Sequence, residues 1–423
     1  MEALSEGYED TLKLLYQLSS RSRLGPLSIF STEKLCAYLG HPERSYPVIH
    51  VAGTNGKGSV VHKTAAVLQA GGYRVGVFTS PHVSSYRERI RVNETRISQE
   101  AVTRLVNKLT HTAQLLDQGV TFFELTTLMA FLYFAEQKVD VAVLEVGLGG
   151  RLDSTNVVQP MLTAITSIGW DHMNILGSTL DAIAIEKGGI IKEGVPVVLG
   201  PTAQMPVLIE QAKKMRSPYI LVDIDTEKSE LQNQAIVRQL FAHLPFRLSC
   251  SEPNIEAALQ SRPPCRFERV GPFVLDVAHN EAALLQLLRR LQSEFSTLPK
   301  YPVFCFSKQK AIAEAFVEWV KECETLILVA HGHHRLMNEQ ELRSVSDVAA
   351  ADLHKLSICN DLGAALNRQR ELAERNGGIV PVTGSFFHMA EARRFVGISE
   401  DVDPFELNEQ LDNRGLELNR ATR

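Results

Sequence analysis

The run HVAGTNGKGSV, beginning at His50, gathers residue types that bind phosphate. A β-branched strand enters the turn Gly53-Thr54-Asn55-Gly56-Lys57-Gly58-Ser59, and a helical pattern follows with Val61, Ala65 and Leu68 on one face. Glycines let backbone N–H groups approach phosphate oxygens, a helix N-terminus adds partial positive charge, Lys57 neutralises anionic oxygen, and the Ser59 hydroxyl can ligate Mg²⁺. The string departs from G-x-x-x-x-G-K-[ST], because Val51 stands at the first glycine and Gly58 separates Lys57 from Ser59. The strand–loop–helix order is what sets it apart from a turn without a ligand.

Further polar groups follow other buried runs: Ser80-Pro81-His82, Glu145 in LEVGLGGRLD, and Asp171-His172. Open α/β sheets bind ligands beyond the carboxyl ends of their strands, so these groups should converge on the glycine-rich loop. Magnesium prefers oxygen ligands and waters, and His172 has the alternative of a hydrogen-bonded structural histidine. Lys187 stands where a helix ends at Gly188-Gly189; its plainer role is to balance a helix dipole. DVAHN puts Asp276 and His279 at a strand end, where Asp276 could instead cap the next helix. HGHHR, from His331 to Arg335, reads as a solvated loop rather than a metal site. RERIRV, from Arg87 to Val92, reads as a strand with a solvated or substrate-facing edge.

The elements that must carry these groups alternate. VIHVA, RVGVFTS, VDVAVLEVG and MLTAITSIG read as strands buried on both faces, with PVVLG and YILVDI extending the set and helical segments between them. A proline- and glycine-rich stretch from Ser261 to Pro272 marks a boundary, beyond which FVLDVAHN, VFCFS, TLILVA and IVPVTGS alternate with helices. The expected fold class is α/β: a P-loop parallel-sheet domain over 1–264 and a smaller Rossmann-like α/β domain over 265–423. The 423 residues carry a net charge of −5 and 44% apolar residues, which excludes a disordered chain and gives no basic field for nucleic acid or membrane. Six dispersed cysteines form no C-x-x-C pair, the first ten residues are acidic, and no apolar run would span a bilayer, so a cytoplasmic protein with free thiols is expected.

Taken in order, PVIHVAGTNGKGS, TSPHVSSYRERIRVN, FFELTTLMAFLYF, VAVLEVGLGGRLDSTNVV, TSIGWDHMNILG, IEKGGIIK, FVLDVAHN and VTGSFFHMAEA resemble the folylpolyglutamate synthase and dihydrofolate synthase family, a branch of the Mur-ligase-like ATP-dependent ligases. The resemblance implies that Thr54, Asn55, Gly56, Lys57, Gly58 and Ser59 bind ATP phosphates. It implies that Ser59, Ser80, Glu145 and His172 hold magnesium, partly through waters. Lys187 matches a lysine that is carbamylated and would ligate a second magnesium, and Lys57, Lys187 and His172 are the implied catalytic set. Arg266, Asp276 and Asn233 match residues that reach ATP. Thr121, Phe122, Phe123 and Glu124, with Leu152, Asp153 and Ser154, match a pterin site.

The implied reaction joins L-glutamate to dihydropteroate or to a folate γ-carboxylate through an acyl phosphate. ATP contacts divided between two domains imply that closure assembles the site. A single-activity folylpolyglutamate synthase, a muropeptide ligase and a noncatalytic nucleotide-binding paralogue are the alternatives; small-molecule substrates and a monomer are expected, with no nucleic-acid or membrane partner. Two departures from the family pattern matter. Cys265 stands at a glycine, which would strain a left-handed backbone, and Gly188 stands at an alanine, which should loosen the helix end beside Lys187.

Overall fold

All five residues of the strand β1 (Val48–Ala52) are buried, as a central strand covered on both faces requires. The protein is described by a computed structural model over residues 7–21, 29–246, 249–308 and 312–404. It divides into two compact units. One runs to His82 and resumes over Tyr86–Pro263; the other comprises Val83–Ser85 and Pro264–Asp403.

The first unit is built on an eight-stranded sheet: β1, β2 (Val75–Phe78), β3 (Ile90–Val92), β4 (Thr95–Arg96), β5 (Val141–Glu145), β6 (Leu162–Ile165), β7 (Val197–Leu199) and β8 (Tyr219–Leu221), in spatial order β4-β3-β2-β5-β1-β6-β7-β8. The β2–β3 and β3–β4 pairings are antiparallel and the remaining pairings are parallel, so a parallel sheet carries an antiparallel edge. Side chains alternate across β1. Ile49 and Val51 join the apolar cluster of the Lys57–Ala70 and Ser229–Ala242 helices, whereas Val48 joins that of the Phe122–Glu136 helix and Ala52 that of the Leu180–Gly188 helix. Fully buried Lys63 donates to the carbonyls of Leu259 and Ser261 (2.6 and 2.7 Å) and to Glu230 (2.8 Å), anchoring the helix that follows the glycine-rich loop. RERIRV departs from expectation. Tyr86–Arg89 is a 3₁₀ turn and the strand begins only at Ile90. Arg89 is buried there, donating to His82 Nδ1 at 2.9 Å with its guanidinium 5.1 Å from the Phe122 ring, contacts that an extended chain facing solvent would forgo.

The second unit has six strands, β9 (Glu268–Val270), β10 (Phe273–Leu275), β11 (Val303–Phe304), β12 (Leu326–Val329), β13 (Leu356–Cys359) and β14 (Val380–Thr383), ordered β13-β12-β11-β14-β10-β9. Only β9 runs antiparallel. Trp319 fills its core, edge-on to Phe304 at 5.1 Å and donating to the Leu284 carbonyl at 3.0 Å. Asp276 does not cap the helix Glu281–Glu294. Asn280 does, accepting the Ala283 N–H, because the N-cap position lies four residues beyond Asp276. No cysteine is in a disulfide, and no helix among the described residues is long and apolar enough to cross a membrane.

Candidate active site

The glycine-rich loop is held in shape by hydroxyls that follow β6. Thr54 N–H donates to the Ser167 carbonyl (2.8 Å) and Asn55 N–H to Ser167 Oγ (2.9 Å), while Ser167 Oγ and Thr166 Oγ1 donate to the Asn55 carbonyl (2.9 and 2.6 Å). Thr54 Oγ1 donates to the Gly169 carbonyl and accepts its N–H, both at 3.1 Å. Thr166 and Ser167 were not singled out from the sequence; their signal is a pair of hydroxyls directly after a buried strand. Gly53 and Gly56 have φ of +147° and +88°. A Cβ on Gly53 would lie 2.0 Å from Thr166 Oγ1, and one on Gly56 would lie 2.6 Å from Asn233 Oδ1, so both positions demand glycine and Asn233 borders the loop. The helix starts at Lys57 behind Gly56, which leaves the first-turn N–H groups of Lys57, Gly58 and Ser59 directed outward.

Two lysines converge on one carbonyl. Lys57 Nζ donates to the carbonyls of Gly53 (3.0 Å) and Thr54 (3.1 Å), and buried Lys187 donates to Gly53 at 2.9 Å. Lys187 therefore reaches across the fold instead of balancing its own helix end. The helix end beside it is tight, contrary to the expectation for Gly188. A Cβ at Gly188 would lie 2.4 Å from Gln211 Oε1 and 2.7 Å from Leu208 Cδ2, and Gln211 donates to the Gly188 carbonyl at 2.7 Å. Gly189 and Gly150 are equally constrained, with hypothetical Cβ positions 2.3 Å from Arg151 Cα and 2.7 Å from the Lys187 carbonyl.

Buried Glu145, at the end of β5, accepts the Ser80 N–H at 3.2 Å, and its Oε2 lies 3.4 Å from a Cβ position on Gly58. The carboxylate thus borders the glycine-rich loop. His172 has φ +48° and a side chain 43% exposed, with Nε2 3.7 Å from Asp171. Among the described residues no three of His, Cys, Asp and Glu group as a metal centre. Glu145 brings a carboxylate beside Gly58 and the Ser80 backbone, and carboxylate oxygen is the kind of ligand a hydrated magnesium ion prefers.

Thr121 and Glu124 form a reciprocal capping box on the Phe122–Glu136 helix, at 3.2 and 2.7 Å. That arrangement contributes about 1 kcal/mol and occupies the polar atoms of both side chains in part. Phe122 packs against Tyr16 and Tyr86, and Phe123 against Phe78 and the Cβ position of Gly147. Asp153 and Ser154 are buried and Leu152 is half-buried. Burial pushes the Asp153 carboxyl up, against hydrogen bonds from Thr155 and from the backbone that pull it down.

In the second unit, Arg266 is presented between two left-handed residues, Cys265 and Phe267, each with φ +54°. The strain expected at Cys265 is present, about 1–2 kcal/mol at each position. The Arg266 guanidinium lies 5.4 Å from the Phe386 ring. Asp276 accepts the N–H groups of Phe267 and Ala278, both at 2.9 Å; burial pushes its carboxyl up and Arg266 pulls it back. His279 Nδ1 is 3.0 Å from the Val277 carbonyl. The HGHHR loop is not simply solvated: His333 is buried and stacks on Phe387 at 4.5 Å, and His331 Nε2 is 3.1 Å from Glu391.

Comparisons with known proteins bear on the family. Residues 51–260 match the Mur ligase middle domain. The chain is 34% identical to the dihydrofolate synthase/folylpolyglutamate synthase of Bacillus subtilis, over 86% of this chain and 93% of that one. It is 28% identical to the dihydrofolate synthetase of Saccharomyces cerevisiae, over 87% and 97%. Among solved structures, the bifunctional folylpolyglutamate synthase/dihydrofolate synthase of Yersinia pestis complexed with AMPPNP and Mn ion superposes with a TM-score of 0.83 at 27% identity, covering 94% of this chain and 100% of that one. The folylpolyglutamate synthase of Thermotoga maritima superposes with a TM-score of 0.78 at 30% identity, covering 95% and 99%. With a match over nearly its whole length, the chain belongs to the dihydrofolate synthase/folylpolyglutamate synthase family of ATP-dependent ligases.

Proposed function

We propose that the chain joins L-glutamate to dihydropteroate, and to the γ-carboxylate of folates, at the cost of ATP. The observation that carries this reading is the convergence of Lys57 and Lys187 on Gly53, in a braced loop bordered by Glu145. A carboxylate is a poor electrophile because oxide is a poor leaving group; transfer of the γ-phosphoryl makes an acyl phosphate, which the glutamate amine attacks with release of phosphate. The N–H groups at the start of the Lys57–Ala70 helix and the Lys57 ammonium offset charge on the transferring group, a matter of position and electrostatics. Thr54, Asn55, Gly56 and Gly58 complete the nucleotide loop, Asn233 contacts ATP from the helix beside it, and Arg266 and Asp276 are further ATP-binding residues.

Ser59, Ser80, Glu145 and His172 are the residues that would hold magnesium, which supplies charge neutralisation at the phosphates when bound. Lys187 fits a carbamate: carbamylation keeps one proton on Nζ, so its hydrogen bond to Gly53 can persist while two new oxygens provide ligands for a second magnesium. Thr121 to Glu124 and Leu152 to Ser154 line the pterin. A cytosolic, monomeric enzyme with both activities is the full form of this reading.

The test is ADP release from ATP, Mg²⁺ and L-glutamate with dihydropteroate, with tetrahydrofolate, and with no pterin. Turnover with both acceptors is expected. Turnover with one assigns a single step, and ATP binding without glutamate-dependent ADP release would overturn the ligase in favour of a nucleotide-binding paralogue.

A further inference from the structure

His50 is an anomaly in the first unit. It occupies the middle of β1, paired in register with Leu144 and Thr163, between Val48 and Ala52 on the same face, and it is fully buried. Any aliphatic residue would satisfy the apolar pattern of that face. The imidazole instead enters a chain of buried polar groups. His50 Nε2 lies 2.8 Å from Thr155 Oγ1, which lies 2.5 Å from Asp153 Oδ1. The Asp153 carboxylate also accepts the N–H groups of Leu148 (2.8 Å) and Thr155 (3.0 Å).

The direction of the chain follows from proton counting. Two backbone N–H groups make the Asp153 carboxylate an acceptor, so the single Thr155 hydroxyl proton goes to it. The Thr155 oxygen then accepts a proton from His50, which fixes the Nε2–H tautomer. One carboxylate thereby ties Leu148 to Thr155, closing the loop that contains Leu152, Asp153 and Ser154. His50 ties that carboxylate to the strand that runs three residues further into Gly53. The phosphate loop and the loop over residues 148–155 share a root in β1.

We infer that His50 is a positioning residue for the pterin-side loop, acting through Thr155 and Asp153 on the placement of Leu152 and Ser154; this rests on the function proposed above. An ordinary core histidine would support the fold without distinguishing one substrate from another. A positioning residue makes its removal felt at the pterin and not at the nucleotide.

The experiment compares wild type with His50→Leu, His50→Gln, Thr155→Val and the double variant His50→Leu/Thr155→Val. KM for dihydropteroate and for ATP are read in steady state, and amide hydrogen exchange over residues 148–155 and 53–59 is read without substrate. His50→Leu and Thr155→Val should each raise KM for dihydropteroate about tenfold while KM for ATP stays within about twofold. His50→Gln, whose amide can donate from nearly the same place, should recover most of the loss. The double variant should be no worse than either single one, as two links of one chain require. Exchange should quicken over residues 148–155 and not over 53–59. An unchanged KM for dihydropteroate, parallel rises for both substrates, additive losses or unchanged exchange would each overturn the inference. Should His50→Leu not fold, His50→Gln and Thr155→Val carry the same comparison. Absence of wild-type turnover with dihydropteroate would overturn the proposed function itself, and exchange would still report whether His50 holds the loop.

Discussion

The loop after β1 and the loop after β12 make an instructive pair, since each follows a buried parallel strand and each is rich in side chains that bind ligands. In the first, the hydroxyls of Thr166 and Ser167 donate to the Asn55 carbonyl and that of Thr54 bonds Gly169, so the loop's backbone is held in one shape against the segment after β6. In the second, the imidazoles are engaged in packing: His333 stacks on Phe387, and His331 meets Glu391. His388, at the start of the Met389–Phe395 helix, is fully buried, and neither ring nitrogen meets a hydrogen-bond partner among the described residues. The histidine-rich run has more metal-binding side chains, and those of His331 and His333 are set against neighbouring side chains. Bracing fixes the backbone of the first loop; side chains turned against neighbouring rings fill out the second.

The sharpest test of that contrast is Lys187→Ala. Turnover should fall about a thousandfold while ATP still binds, and short carboxylates should restore part of it; full activity in the variant would remove the carbamate role. Gly53→Ala comes next. Its Cβ would collide with Thr166 Oγ1, displacing the loop by enough to lower turnover about a hundredfold and weaken ATP binding in a direct titration. Unimpaired ATP binding would mean that bracing does not set the loop's direction.

A smaller effect should separate the histidines. Burial pushes His388 down from 6.5 to about 3, so the unfolded chain takes up a proton between those values and the native state does not. Its contribution is complete above about pH 6.5 and is lost as pH falls through 6.5 towards 3. His388→Leu should therefore unfold less readily than wild type near pH 5, with a thermal midpoint a few degrees higher, because a buried imidazole without a partner is replaced by an apolar group. An unchanged acid-unfolding curve would show that His388 is not held neutral. The least effect belongs to Gly332→Ala in the histidine loop. Nothing lies within 4 Å of its Cβ position, so stability should move by less than about 0.5 kcal/mol and turnover by less than twofold. A large loss there would erase the distinction between the two loops.

Much of this was legible along the chain. Strand runs such as VIHVA and VAVLE are buried on both faces and could be read from β-branched density alone, and the turn from Gly53 to Ser59 could be read from its glycines, of which Gly53 and Gly56 take positive φ. RERIRV misled because its alternation is real while its first half turns back to let Arg89 reach His82. Gly188 misled because a glycine at a helix end signals freedom only when nothing packs on it.

The sequence by itself determined the order of elements, the glycine-rich turn and the family, since these depend on local residue type and spacing. Tertiary structure decided which groups meet. Lys187 lies 134 residues from Gly53, and His50 lies 105 from Thr155. No local propensity encodes such pairs, because they arise only when neighbouring strands and the loops beyond them are brought together by burial of the apolar runs between.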